Sequence, residues 1–300
     1  MQPNGQSYIC CFGEVLWDLL PAGRQMGGAP MNVAAHLQQL GLSSLIISRV
    51  GRDDLGNEIM EWLSKNQFPL NWVQTDAQYP TGIVNVDLTD KNRVVYEIVQ
   101  PAAWDFIEVS DEMIALVSNS SGIVFGSLAC RNQVSRLSLL KLLEQAPYKI
   151  FDVNLRPPHY SQDLVALLLQ QADMVKMNDE ELRLISGWYG LSERDDRQVM
   201  DYLRSAFNIS LLLVTRGGNG AVVLHDSGYV ESPGYKVKVA DTIGSGDSFL
   251  AGFIKMITSG KPIEEALHFA CAMGAIVATY HGAIPAVTEK EIQNLMDGTL

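Results

Sequence analysis

The chain has 300 residues, 47% hydrophobic and 19% charged, a mix that excludes disordered and fibrous proteins and can bury a large core without metals or disulfides. Lys and Arg number 22 against 34 Asp and Glu, and this formal net charge of −12 argues against a nucleic-acid partner, which needs a basic face. The same balance looks wrong for binding a phosphorylated anion, a tension that a site would have to resolve locally.

The first apolar run is Tyr8 to Leu20, followed by Pro21 and Gly23. After Gly27-Gly28-Ala29-Pro30 comes a helix over Met31 to Leu40, closed by Gly41, with Pro at its start and Gly past its end. Leu45–Val50 reads as a buried strand and Leu55–Lys65 as a helix. From Thr81 to Val99, apolar residues flank Thr89-Asp90-Lys91-Asn92, the pattern of a β-hairpin.

Thereafter strands and helices alternate. Strands fall at Gly122–Gly126, Lys149–Asn154, Asp173–Met177 and Ser210–Thr215, with helices at Val134–Leu143, Leu164–Gln171, Asp179–Ile185 and Arg197–Phe207. Such alternation predicts an α/β fold, a mostly parallel sheet with helices on both faces. Two more strands, Gly220–His225 and Tyr235–Val239, lead to Asp241-Thr242-Ile243-Gly244-Ser245-Gly246-Asp247 and a helix from Ser248. The expected organisation is one α/β domain over residues 1–300 with a small β-sheet appendage from segments near 10–21 and 81–100.

Ala266 to Val287 carries no Asp, Glu, Lys or Arg and is long enough to span a membrane. His268, His281, Gly282 and Pro285 within it, and Glu264 and Glu265 before it, favour a buried helix ending near Gly282. No signal-peptide pattern is seen, and Cys10, Cys11, Cys130 and Cys271 lack metal or redox spacing. They read as buried reduced thiols of a cytoplasmic protein.

Gly244-Ser245-Gly246-Asp247 joins a strand pattern to a helix pattern, and a helix start with free N–H groups is an anion site. Asp247 within it is either a plain N-cap or a general base beside an anion hole. Gly260-Lys261-Pro262 fails as a Walker loop. Phe249 stands where a dinucleotide fingerprint needs its third glycine.

The segment Asp241 to Asp247 resembles the D-T-x-G-A-G-D signature of the ribokinase-like (PfkB) sugar kinases, with Ser245 where Ala is usual. Gly27-Gly28-Ala29-Pro30-Met31-Asn32 resembles their sugar-side signature. Val50–Gly56, Asp152–Arg156, Asn178–Glu181 and Thr215–Gly220 follow in family order, so the resemblance covers nearly the whole chain. It implies a ribokinase-like three-layer α/β/α fold in which the hairpin is a lid over the sugar, and a homodimer paired through that lid.

The resemblance also implies roles. Asp247 takes the sugar-hydroxyl proton, and the N–H groups of Gly244, Ser245 and Gly246 hold the phosphoryl group. The Ser245 hydroxyl is a further donor to phosphate. Arg156 clamps phosphate or, as a bare residue, forms a surface ion pair. Asn178 and Glu181 organise Mg²⁺ through water, unless Asn178 simply caps a helix. Lys176, Asn178, Thr215, Gly217 and Gly220 lie on the ATP side, although Thr215–Gly220 alone is an ordinary turn. Asp241 and Ile243 offer carbonyls to a monovalent cation such as K⁺. On the sugar side stand Asp18, at the end of the first strand, with Gly28, Asn32 and Gln100; Asn32 by itself reads as a helix-start residue.

Tyr96 to Asp105 looks most like bacterial fructokinases, which implies ATP-dependent phosphorylation of D-fructose. The alternatives are 2-keto-3-deoxygluconate kinase, whose acidic substrate asks for an Arg or Tyr cluster near Arg93, ribokinase, or a non-catalytic sugar or nucleotide sensor. Neither nucleic acid nor membrane is an expected partner.

Overall fold

A strand that is apolar at every position needs cover on both faces. The structure, a computed structural model describing residues 7–20, 23–90 and 93–299, supplies that cover. Pro21, Lys91 and Asn92 of the expected appendage lie outside the described residues. The chain begins β1 (Tyr8–Phe12), β2 (Leu16–Leu20), β3 (Gly23–Gly27), α1 (Ala29–Gln39), β4 (Ser43–Gly51), α2 (Asp54–Lys65) and β5 (Val73–Asp76). The hairpin β6 (Gly82–Asp90) and β7 (Arg93–Ile98) follows, then α3 (Asp111–Ser118), β8 (Gly122–Gly126), α4 (Gln133–Leu143) and β9 (Lys149–Asp152). Next are α5 (Gln162–Gln171), β10 (Met174–Asn178), α6 (Asp179–Trp188), α7 (Asp196–Phe207), β11 (Leu211–Thr215), β12 (Ala221–His225) and β13 (Gly228–Ser232). The chain closes with α8 (Ser245–Thr258), α9 (Ile263–Val277) and α10 (Glu289–Met296).

Nine strands form one sheet in the order β13-β12-β11-β10-β9-β8-β1-β4-β5, parallel from β11 to β5 and antiparallel at β11–β12–β13. Alternate side chains of each strand feed opposite cores. Phe12, Phe125 and Phe151 pack with α3 to α7, whereas Ile9, Cys11, Val124 and Ile150 pack with α1, α2, α8 and α9. The expected three-layer α/β/α arrangement is therefore present. The order switches between β1 and β8, whose following elements run to opposite sides, and a crevice beyond the strand C-termini is the usual ligand position at such a switch. No helix among the described residues is long and apolar enough to cross a membrane.

The four-stranded second sheet, β3-β2-β6-β7, is parallel only at β2–β6. The run Tyr8–Leu20 is thus two strands in two sheets, broken at Gly13-Glu14-Val15, and residues 10–12 belong to the large sheet. Asp18 consequently lies mid-strand in β2 rather than at a strand end. Tyr235–Val239 forms no strand; β13 takes the sheet edge instead. The helix expected from Ser248 starts at Ser245.

Two knots fasten the small sheet's hairpin. At one root Asp53 accepts hydrogen bonds from Gly56 N, Thr81 N and Thr81 Oγ1 at 2.8, 2.8 and 2.7 Å. At the other, Arg131 bonds Asp105 through Nε and Nη2 (2.7 and 2.8 Å), donates to the Val99 carbonyl (2.9 Å) and lies 3.9 Å over the Trp104 ring. Because both charges are buried, Asp105→Ala strands a guanidinium without its partner. It is expected to cost about 3–5 kcal/mol in urea unfolding; a loss under about 1 kcal/mol would contradict a buried pair.

Candidate active site

At the N-terminus of α8, Gly244 is the N-cap in the left-handed region (φ 74°), and no side chain caps the helix. Asp247 is therefore not the N-cap. Its Oδ2 instead accepts from Asn32 Nδ2 of α1 at 2.7 Å, leaving the turn open. Ser245 N donates to the Thr242 carbonyl at 3.2 Å, so the amides of Gly244, Gly246 and Asp247 are the ones without an acceptor among the described residues. The Ser245 hydroxyl turns back to the Gly274 carbonyl (3.0 Å), which corrects the expectation that it faces a phosphate. Open amides, the helix dipole and a carboxylate at one turn can hold an anion and accept a proton beside it.

Charged groups converge on this turn from the strand C-termini. Lys176 Nζ on β10 lies 3.0 and 3.2 Å from the Asp152 carboxylate of β9, and a Cβ on Gly246 would stand 3.0 Å from the same nitrogen. Burial opposes the charge on Lys176, but Asp152, Glu181 and Asp247 outweigh it and hold its pKa above the ordinary value. Burial raises Asp247 and Asp152, opposed chiefly by Lys176. Asn178 and Glu181 form a reciprocal capping box on α6: Asn178 Oδ1 accepts from Glu181 N, and Glu181 Oε2 from Asn178 N, both at 2.8 Å. Glu181 Oε1 also accepts from Leu155 N (2.7 Å). With both oxygens engaged and the carboxyl buried, this pair fits a Mg²⁺ ion only through intervening water.

The exposed Arg156 has no ion pair among the described residues, yet its charge reaches Glu14, Asp18, Asp152 and Asp247. Gly28 (φ 112°) lies against the Glu14 carbonyl, from which a Cβ would stand 2.2 Å, and Asp18 Oδ2 is packed on Gly27. Asp18, Gly28, Asn32, Arg156, Lys176 and Asp247 are thus brought together.

Residues 6–290 match the profile of the pfkB family carbohydrate kinases. The chain is 30% identical to the fructokinase of Escherichia coli over 93% of its length and 95% of that protein. The chain belongs to the pfkB carbohydrate kinase family. It is accordingly a phosphotransferase with an alcohol group as acceptor. The fructokinase of Xylella fastidiosa with bound ATP superimposes with a TM-score of 0.86 over 97% of this chain and 98% of that one, at 23% identity, and shows the same ribokinase-like fold. A double-mutant fructokinase from Vibrio cholerae O395 with fructose, ADP and potassium ion bound is 26% identical, with a TM-score of 0.84 over 98% of this chain and all of that one.

The other expected residues of this kinase lie apart from the turn or are otherwise engaged. Gln100 lines a cavity with Pro101, Asp105, Arg131 and Asn132. Thr215 pairs in register with Asn178, while Gly217 and Gly220 shape the β11–β12 hairpin, Gly220 packed on the backbone of residues 232–234. Asp241 closes its own loop, accepting from Ile243 N (3.0 Å) and Gly282 N (3.2 Å). The main-chain carbonyls of Asp241 and Ile243 accept no hydrogen bond among the described residues, which suits them as monovalent-cation ligands.

Three buried groups near the kinase site had no role in the sequence reading: Asp152, His36 and Glu14. Glu14 is 2% exposed; its Oε1 takes the Ala29 amide at 3.3 Å while Oε2 has no partner. The signal for it was an acid set between apolar residues, Phe12 before and Val15-Leu16-Trp17 after. Burial pushes Glu14 up to about 7 from an ordinary 4.5. A raised acid contributes stability that is full below the unfolded pKa and lost as pH rises through the folded one. Glu14→Gln keeps an acceptor and never ionises. It is expected to stabilise the kinase by up to about 3 kcal/mol at pH 8 and to be neutral near pH 4.5, read as thermal midpoints. The same difference at both pH values would exclude a proton-holding Glu14.

Proposed function

We propose that this kinase transfers the γ-phosphoryl group of ATP to a hydroxyl of D-fructose, giving fructose 6-phosphate. The observation that carries the reading is the Asp247 carboxylate, fixed by Asn32 at an uncapped helix N-terminus with free amides. Asp247 accepts the hydroxyl proton as the acceptor oxygen attacks. The amides of Gly244, Gly246 and Asp247 hold the transferring group, and Arg156 and Lys176 balance its charge. Bound magnesium would neutralise the nucleotide phosphates, with Asn178 and Glu181 reaching it through water.

Asp18, Gly28 and Asn32 would meet the sugar hydroxyls, with the small sheet as a lid that excludes water and Gln100 at its root. Thr215, Gly217 and Gly220 would border the nucleotide, and the Asp241 and Ile243 carbonyls would take K⁺. Fructose as substrate is supported by the fructokinase relatives, among them the Vibrio cholerae protein with fructose and ADP bound. The buried free cysteines fit a cytoplasmic enzyme, and pairing of lids would make it a homodimer.

Purified enzyme with ATP, Mg²⁺ and a sugar panel tests the assignment through ADP release. Fructose should be turned over in preference to 2-keto-3-deoxygluconate and ribose; turnover of either in its place overturns the substrate. Asp247→Asn should lower kcat by about 10²–10⁴ while sugar and nucleotide still bind; unchanged turnover removes the base. Because Asp247 must be ionised and burial raises its pKa, kcat/KM should fall on the acid side above the ordinary carboxylate range. Asn32 lowers that pKa, so Asn32→Leu should move the acid limb to higher pH in rate profiles, and a limb that stays put would contradict the contact.

A further inference from the structure

The side chains of α1 at Asn32 and His36 are one helical turn apart; Asn32 reaches Asp247 of α8, and His36 reaches Ala283. His36 is fully buried, and its Nε2 lies 2.9 Å from the Ala283 carbonyl. A carbonyl only accepts, so the ring carries its proton on Nε2. Ala283 in turn presses on the N-cap of α8: a Cβ on Gly244 would stand 2.4 Å from the Ala283 oxygen and 2.7 Å from its Cα. The segment around Ala283 has no regular secondary structure. Besides the His36 bond, the neighbouring Gly282 donates to Asp241 at 3.2 Å and packs near Gln25 of β3.

We propose that His36 is a positioning residue for the phosphoryl-binding turn, holding Gly244 and the start of α8 through the main-chain carbonyl of Ala283. The inference rests on the reading of that turn given above. His36 is poorly explained as mere core filling. Its Nδ1 is buried without a partner, the Gln39 side chain being beside it but outside hydrogen-bond geometry, and an apolar residue of similar size would avoid that cost. Asn32 fixes the base, and His36 fixes the turn three residues before it. One rigid helix, which begins at the Gly28 loop, therefore sets both parts of the site against each other. Misplacement by about 1 Å can cost on the order of 10²-fold in rate.

His36→Leu and His36→Met remove the donor while keeping an apolar fill. In whichever folds, as judged by circular dichroism and thermal melting, kcat should drop about 10–10²-fold with KM for fructose within about twofold. His36→Gln, whose Nε2 can reach the same carbonyl, should recover most of that loss. Binding of ADP with Mg²⁺ and aluminium fluoride, a mimic of the transferring group, should weaken in step with kcat and be spared in His36→Gln. A folded donor-less variant with near-normal kcat, a loss confined to KM, or an equal loss in His36→Gln overturns the proposal. If the unaltered enzyme turns over no sugar, the functional reading fails by itself, and the aluminium fluoride measurement alone then decides His36.

Discussion

A buried ammonium on β10 governs the charge balance at the strand ends. Lys176 is tied to Asp152 at 3.0 and 3.2 Å and feels Glu181 and Asp247 as well. Burying charges is costly, and removing one partner of a buried pair strands the other. Burial raises Asp152, Glu181 and Asp247 together against the opposing pull of Lys176, and Asp247 adds to the rise of Asp152 as Asp152 does to that of Glu181. A polyphosphate is an unsuitable guest only if charge is counted over the whole chain, where it sums to −12. Locally, the proposed guest would meet open amides, Lys176 beside Gly246, and Arg156, which has no ion pair among the described residues. Net charge describes solubility and steering, whereas the site is decided by the groups within a few ångströms.

The layered architecture was legible because its signal is periodic. Strands such as Gly122–Gly126 are apolar throughout, and the structure buries every residue of that strand between two helical layers. What escaped the sequence depends on partners far along the chain. The break at Gly13-Glu14-Val15 sends two halves of one apolar run into different sheets, and periodicity alone carries no mark of it. Tyr235–Val239 alternates like a strand but has no neighbour to pair with, since β13 already forms the edge.

Local spacing at the site was similarly two-sided. Asn178 and Glu181, three apart, suited either a shared ligand or a cap, and the structure shows a reciprocal capping box with the carboxyl further bound to Leu155 N. Asp247, three residues after Gly244, suited a cap or a base, and here the outcome is reversed: the cap is the glycine and the carboxylate faces Asn32. The deciding contact spans 215 residues of sequence, which no local pattern encodes. Asp152 stood inside a recognised motif, but its bond to Lys176 depends on β9 and β10 lying side by side.

Arg131 and Arg156 differ in what they can do. Arg131 is buried, doubly bonded to Asp105, stacked on Trp104 and bonded to the Val99 carbonyl, so its charge is consumed in fastening the hairpin root. Its neighbour His159 registers this, its pKa lowered by burial and by Arg131 against the pull of Asp105. Arg156 is exposed and has no ion pair among the described residues; its Nη1 donates to the Leu155 carbonyl at 3.0 Å, and its own carbonyl accepts the His159 amide at 2.8 Å. A substrate with its own carboxylate would call for a second free cation, besides the one proposed for the phosphate. Arg131, already paired with Asp105, is not such a cation.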